Sequence, residues 1–153
     1  MTSLGEEFEI VSNYLKVQKL RFGRRLDYRL DFPEGLGATR VPAMILQPFV
    51  ENAVIHGIEP SVDGGRIEVS AEPWKDGVVI YLKDDGVGFD PSLVAHIKET
   101  GDEGLHIGIG NTRRRLALLY GEDRELVRID SAPGTGTRIR IEMPGRLVDE
   151  SSR

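Results

Sequence analysis

Glu51-Asn52-Ala53-Val54-Ile55-His56-Gly57 sets an amide and an imidazole into an otherwise apolar helical stretch. Ile45, Leu46, Phe49, Val50, Ala53 and Val54 form a wide apolar face, on a helix expected to start at Pro42 and to end near Gly57. Asn52 and His56 are four residues apart and therefore share one face. An amide among core residues is costly unless it is satisfied. Its carbonyl oxygen suits Mg²⁺, which keeps several waters and takes its other ligands from phosphates; the same side chain could instead cap a neighbouring backbone group. His56 could contact phosphate, or sit as a cation at the negative end of the helix. Pro48 lies within this stretch and is expected to break or kink its first turn.

Three more segments follow. In Asp84-Asp85-Gly86-Val87-Gly88-Phe89-Asp90 a carboxylate ends a strand and two glycines come directly after. A carboxylate so placed accepts a hydrogen bond from the exocyclic amine of adenine and repels the carbonyl of guanine. Gly86 and Gly88 let the backbone approach a planar base. Gly108-Ile109-Gly110-Asn111 is read as the lead-in to a helix, where exposed amides stabilise phosphate oxygens. Residues 86–110 would then form a lid over the triphosphate. Pro133-Gly134-Thr135-Gly136-Thr137 reads as a hairpin, and Thr137 could support the base directly or through a water held by Asp84. Each segment alone is an ordinary turn or helix end. In this order they point to an ATP site.

The surrounding chain reads as one domain over residues 1–153. Phe8, Val11, Leu15 and Phe22 give an amphipathic helix over 4–22, closed by Gly23. Leu26, Tyr28, Leu30 and Phe32 alternate with charged residues as a half-buried strand. Strands are expected over 66–72 and 78–83, a short helix over 91–99, a helix over 111–120, strands over 126–130 and 137–143, and a frayed tail over 145–153. Hairpin-length links point to an α+β fold: a two-layer sandwich, its mixed and mostly antiparallel sheet covered on one face by helices.

Composition narrows the classes. A hydrophobic share of 39% and a charged share of 29% suit a globular domain. The absence of cysteine removes disulfides and thiolate metal sites and fits a cytoplasmic setting. A net charge of −5 disfavours nucleic acid as a partner. Arg113, Arg114 and Arg115 read first as a solvated face. Gly108 and Gly110 match two glycines of a dinucleotide fingerprint, but Arg113 takes the place of the third and no strand precedes them; a P-loop is absent.

The four segments together resemble the N box and the three glycine boxes of the ATPase superfamily that includes gyrase, the heat-shock chaperone of ninety kilodaltons, histidine kinases and mismatch-repair MutL, whose nucleotide-binding unit is the Bergerat sandwich. Tyr14-Leu15, Arg21-Phe22-Gly23, Val41-Pro42 and Leu46-Gln47-Pro48-Phe49-Val50-Glu51-Asn52-Ala53 with His56-Gly57 are similar to LytS-type sensor histidine kinases. So is Gly108-Ile109-Gly110-Asn111 leading into Arg113, Arg115-Leu116 and Tyr120-Gly121. The resemblance implies that Asn52 binds Mg²⁺ and Asp84 binds the adenine of ATP. It implies that Gly86, Gly88, Gly108 and Gly110 shape pocket and lid, with His56, Ile109, Asn111 and Thr137 around the nucleotide.

The implied reaction is transfer of the γ-phosphoryl group to a histidine on a phosphoacceptor helix, with a response regulator downstream and membrane contact only through other segments of a parent kinase. None of His56, His96 and His106 has the acceptor's context, so a catalytic domain without its substrate is expected, as an excised or truncated piece. Hydrolytic members place a Glu one turn before the metal-binding Asn; here that position is Pro48. Glu51 is the remaining candidate for a base, although on an ideal helix it projects about 100° away from Asn52. The alternatives are an anti-sigma-factor-type serine kinase and a non-catalytic nucleotide-sensing module of the same fold.

Overall fold

Ser3 and Glu6 open the first helix as a capping box: the Ser3 hydroxyl accepts from the Glu6 amide at 3.2 Å, and the Glu6 carboxylate accepts from the Ser3 amide at 3.0 Å. The helix α1 runs Leu4–Phe22 in the computed structural model, which describes residues 1–90, 92 and 107–145. Its buried face carries Leu4, Phe8, Val11 and Leu15. It closes at Gly23, whose φ of 58° a side chain would resist.

Five strands make the main sheet: β2 (Leu26–Asp31), β4 (Gly65–Trp74), β5 (Gly77–Asp84), β6 (Val127–Ala132) and β7 (Gly136–Met143), in the order β2-β4-β5-β7-β6. β2 runs parallel to β4, and every other pairing is antiparallel. The parallel pair requires a crossover, which the chain between β2 and β4 supplies. That crossover holds β3 (Arg40–Val41), paired with β1 (Thr2–Ser3), and the helix α2 (Gln47–Asn52). The helix α3 (Ile107–Tyr120) lies between β5 and β6 in sequence.

The fold is an α+β sandwich. Ile67, Val69, Ile80, Leu82, Ile139 and Ile141 form the sheet side of one core, and Leu4, Phe8, Phe49, Val50, Val54 and Leu116 belong to its helical side. The opposite sheet face is covered by its own side chains. Arg140 stacks over Trp74 at 4.7 Å and approaches Tyr81 at 5.9 Å, while the Tyr81 hydroxyl donates to Glu72 at 3.1 Å.

Two expectations need correction. α2 starts at Gln47 rather than Pro42. Residues 42–46 instead form a turn in which Met44 takes a φ of 57°. Glu7 decides this: its buried carboxylate accepts from the amides of Met44 at 2.7 Å, Ile45 at 2.9 Å and Leu46 at 3.1 Å. A carboxylate buried by α1 requires donors, and the amides before α2 provide them without a helical turn. Pro48 therefore falls in the first turn of α2, where its missing N–H costs nothing, and it does not kink the helix. The short helix read over 91–99 and the tail over 145–153 lie outside the described residues, apart from Ser92 and Gly145.

Glu7→Ala strands three amides, two of them in buried bonds, and should lower stability by roughly 3 kcal/mol. Urea unfolding would read this as a lower midpoint at unchanged slope. Glu7→Gln, which keeps one acceptor oxygen, should cost clearly less.

Candidate functional site

With Pro48 in the first turn, α2 presents Glu51 and Asn52 one turn on, and Asn52 is only 9% exposed. The helix then widens. The Glu59 amide donates to the Val54 carbonyl at 2.9 Å, the five-residue spacing of a π turn that spans Ala53–Ile58. A cleft of about 110 Å³ opens beside it, lined by Pro48, Glu51, Asn52, Ile55, His56, Gly108 and Ile109. Gly108 brings the start of α3 close: a Cβ there would stand 3.2 Å from the Pro48 Cβ. Glu51 faces this cleft together with Asn52, and the Gln47 side-chain amide donates to its carboxylate at 2.8 Å.

The second half of the site is built around Asp84, which is 2% exposed at the end of β5. Its Oδ1 accepts from the Gly86 amide at 2.9 Å. A Cβ on Gly57 would stand 2.7 Å from the same oxygen, and one on Gly86 would stand 2.2 Å from the Gly57 carbonyl oxygen. The Val87 amide donates to that carbonyl at 3.0 Å. Thr137 faces Asp84 across the β5–β7 pair, is 3% exposed, and lies 2.7 Å from the Ser131 hydroxyl. The Gly134 amide donates to the Val87 carbonyl at 2.8 Å. The first, second and fourth segments therefore meet at one buried carboxyl, and the third lies across the adjoining cleft.

Burial raises the Asp84 pKa to about 6; the neighbouring Asp85 charge adds to this, and the Gly86 amide opposes it. Near neutral pH the carboxylate is ionised at a cost, which a ligand donor would offset.

Gly108–Asn111 does not precede the helix but forms its first turn. The Thr112 hydroxyl donates to the Gly108 carbonyl at 2.8 Å. Ile109 and Gly110 are buried, whereas Asn111 is exposed and does not line the cleft. Gly88 takes a φ of 68°, and a Cβ there would lie 2.1 Å from the Ala132 carbonyl oxygen. Of the lid read over 86–110, residues 91 and 93–106 lie outside the described residues, as do His96 and His106. Of the basic cluster, Arg114 and Arg115 are exposed as read, and Arg113 is half-buried; Arg113 donates to the Val127 carbonyl at 3.3 Å and Arg115 to the Ala43 carbonyl at 2.5 Å. Burial lowers the Arg113 pKa.

Three supporting residues escaped the sequence reading. Ser131 bonds the Phe89 amide at 2.9 Å as well as Thr137, Gln47 holds Glu51, and Glu7 holds the approach to α2. Only Glu7 left a signal, a charge at the helical phase of Leu4, Phe8 and Val11.

Residues 38–147 match the family described as histidine kinase-, DNA gyrase B- and HSP90-like ATPases. The chain belongs to this family. Among relatives of this ATPase domain, the sensor histidine kinase YesM of Bacillus subtilis is 36% identical over 146 residues, 95% of this chain and 24% of YesM. The sensor histidine kinase YpdA of Escherichia coli is 30% identical over 148 residues, 97% of this chain and 25% of YpdA. The chain thus spans about a quarter of the length of these relatives. The catalytic domain of the histidine kinase ThkA shares the fold, with a TM-score of 0.66 at 15% identity over 95% of each chain. This is an ATPase domain of the histidine-kinase type, and ATP is its nucleotide.

Because the folded-state pKa of Asp84 is raised, its ionisation opposes folding, and stability falls as pH rises from 3.8 to about 6. Asp84→Asn should raise the Tm of the nucleotide-free domain at pH 7.5 by at least about 3 °C, leave it unchanged at pH 4, and abolish ATP binding by calorimetry.

Proposed function

We propose that the domain binds Mg-ATP and transfers its γ-phosphoryl group to a histidine on a separate phosphoacceptor helix, in two-component signalling on the cytoplasmic side. The observation that carries this reading is a buried amide, Asn52, on the same helical stretch as Gly57, whose backbone lies against the buried carboxylate Asp84. The sensor-kinase names of YesM and YpdA support it.

Asp84 accepts from the adenine amine, and Thr137 stands beside it across the strand pair. Gly86 and Gly88 keep side chains away from the base. Among the described residues no cluster of three or more His, Asp or Glu could hold a cation without further ligands. Asn52 would give Mg²⁺ a single protein oxygen, leaving its other positions to phosphates and water. Gly108 and Ile109 border the triphosphate from α3, and His56 borders it from the π turn. Bound Mg-ATP supplies the phosphoryl group and the charge neutralisation that its transfer requires.

Pro48 occupies the cleft wall where a hydrolytic member has its base, so water is not activated there. A histidine acceptor needs no such help, because an imidazole with a pKa near ~6.5 is largely neutral and nucleophilic at pH 7. Glu51, held by Gln47, orients the incoming imidazole. The response regulator then takes the phosphoryl group from the phosphohistidine. No described helix is long and apolar enough to cross a membrane; any membrane contact belongs to other segments of a parent kinase.

The chain alone should bind Mg-ATP, hydrolyse it slowly and fail to label itself with [γ-³²P]ATP. Supplied with the phosphoacceptor helix of a sensor kinase, it should yield a label stable to base and labile to acid. Asn52→Ala should reduce transfer at least about 100-fold and remove the Mg²⁺ dependence of ATP binding. Strong self-labelling, or unchanged Mg²⁺ dependence in Asn52→Ala, would sink the assignment.

A further inference from the structure

The solvent side of α1 is built unlike a free surface. Leu20 is 88% exposed, Val17 62% and Ile10 37%, and all three lie on the side turned away from Leu4, Phe8, Val11 and Leu15. Isolated apolar residues on a surface are ordinary. Here they share one face of a 19-residue helix with Asn13, and the charges around them are sorted. Glu6 and Glu9 lie in the first half, and Lys16, Arg21 and Arg24 lie in or just after the second. The helix dipole accounts for acids first and bases last. It does not account for Val17 and Leu20 between the bases.

We propose that this face pairs with the same face of a second copy of the chain, the two α1 helices running antiparallel about Leu15. In that register Ile10 meets Leu20 of the second copy and Asn13 meets its Val17. Glu9 meets its Arg21, and Glu6 lies toward its Arg24, in the turn just after the helix. Each contact occurs twice by the twofold symmetry. Apolar residues then face apolar or small polar ones, and each exposed acid faces a base. A parallel pairing would set acid against acid and base against base along the same seam. Arg21 is compatible with the pairing. Its guanidinium is bonded to Glu59 at 2.6 Å, its side chain is 58% exposed, and its remaining donors are available to a second carboxylate.

α1 is about 28 Å long, so the contact falls below the roughly 1,200 Å² of standard stable interfaces. So small a contact belongs with weak, reversible associations. The proposal is independent of the phosphotransfer reading: neither a nucleotide nor an acceptor enters it.

Sedimentation velocity of the whole chain up to about 0.5 mM should show a concentration-dependent shift from monomer to dimer. Leu20→Glu should raise the dissociation constant at least about tenfold. Its thermal unfolding should stay unchanged, because Leu20 is 88% exposed. Glu9→Lys should weaken the dimer, and adding Arg21→Glu should recover part of the loss. The chain has no cysteine, so engineered pairs report orientation cleanly. An equimolar mixture of Asn13→Cys and Val17→Cys should cross-link faster than either variant alone. Monomer throughout the concentration range would overturn the proposal, and so would faster cross-linking of Val17→Cys with itself.

Discussion

The backbone of Gly57 lies against the carboxyl of Asp84, and the rest of the site depends on that contact. Gly57 lies in the last turn of the segment that carries Asn52 and His56, while Asp84 ends the central strand β5. A Cβ on Gly57 would intrude to 2.7 Å from the carboxyl oxygen, one on Gly86 to 2.2 Å from the Gly57 carbonyl oxygen, and one on Gly136 to 2.1 Å from the Asp84 carbonyl oxygen. Three close approaches thus join the helix end, the turn after β5 and the hairpin before β7. Removing side chains at these places lets the backbone itself form the walls around the carboxyl.

That arrangement has a thermodynamic consequence. Asp84 is ionised near neutral pH at the expense of folding stability, because burial raises its pKa to about 6. The same burial keeps water from competing for its oxygens. Stability lost at a binding carboxylate and recovered through its ligand is a common exchange in functional sites. Glu7 shows the opposite use of a buried carboxylate. Three amides satisfy it, and it fixes the turn that delivers Pro48 and Asn52 to the cleft. Arg115 holds the same turn from α3 through the Ala43 carbonyl. α1 and α3 therefore clamp the approach to α2 from two sides.

Legibility in the sequence followed the range of the forces. Where a residue type was dictated by its immediate neighbours, the reading served well: the apolar period of α1, the alternation of β2, the glycines after Asp84. It failed where a distant residue overrode a local preference. Pro42 is a good helix start, yet Glu7, more than thirty positions earlier, takes the amides that a helix there would have used internally. Pro48 was read as a kink only because the helix was started too early. Arg113 looked solvated because its partner, the Val127 carbonyl, carries no side-chain signature. Ser131 had no signal, since its role is to bond Phe89 and Thr137 across a hairpin.

By itself the sequence determined the α+β class, the set of four segments and the candidate ligands within them. Those depend on residue chemistry and short spacing, which need no folded chain to be read. Only the tertiary structure decided that Glu51 and Asn52 face one cleft, that Gly108–Asn111 is the first turn of α3 rather than its lead-in, and that Thr137 stands beside Asp84. Each of those is set by the π turn, by packing against Pro48 or by strand register. Such features arise from contacts between residues far apart in the chain, and local pattern does not encode them.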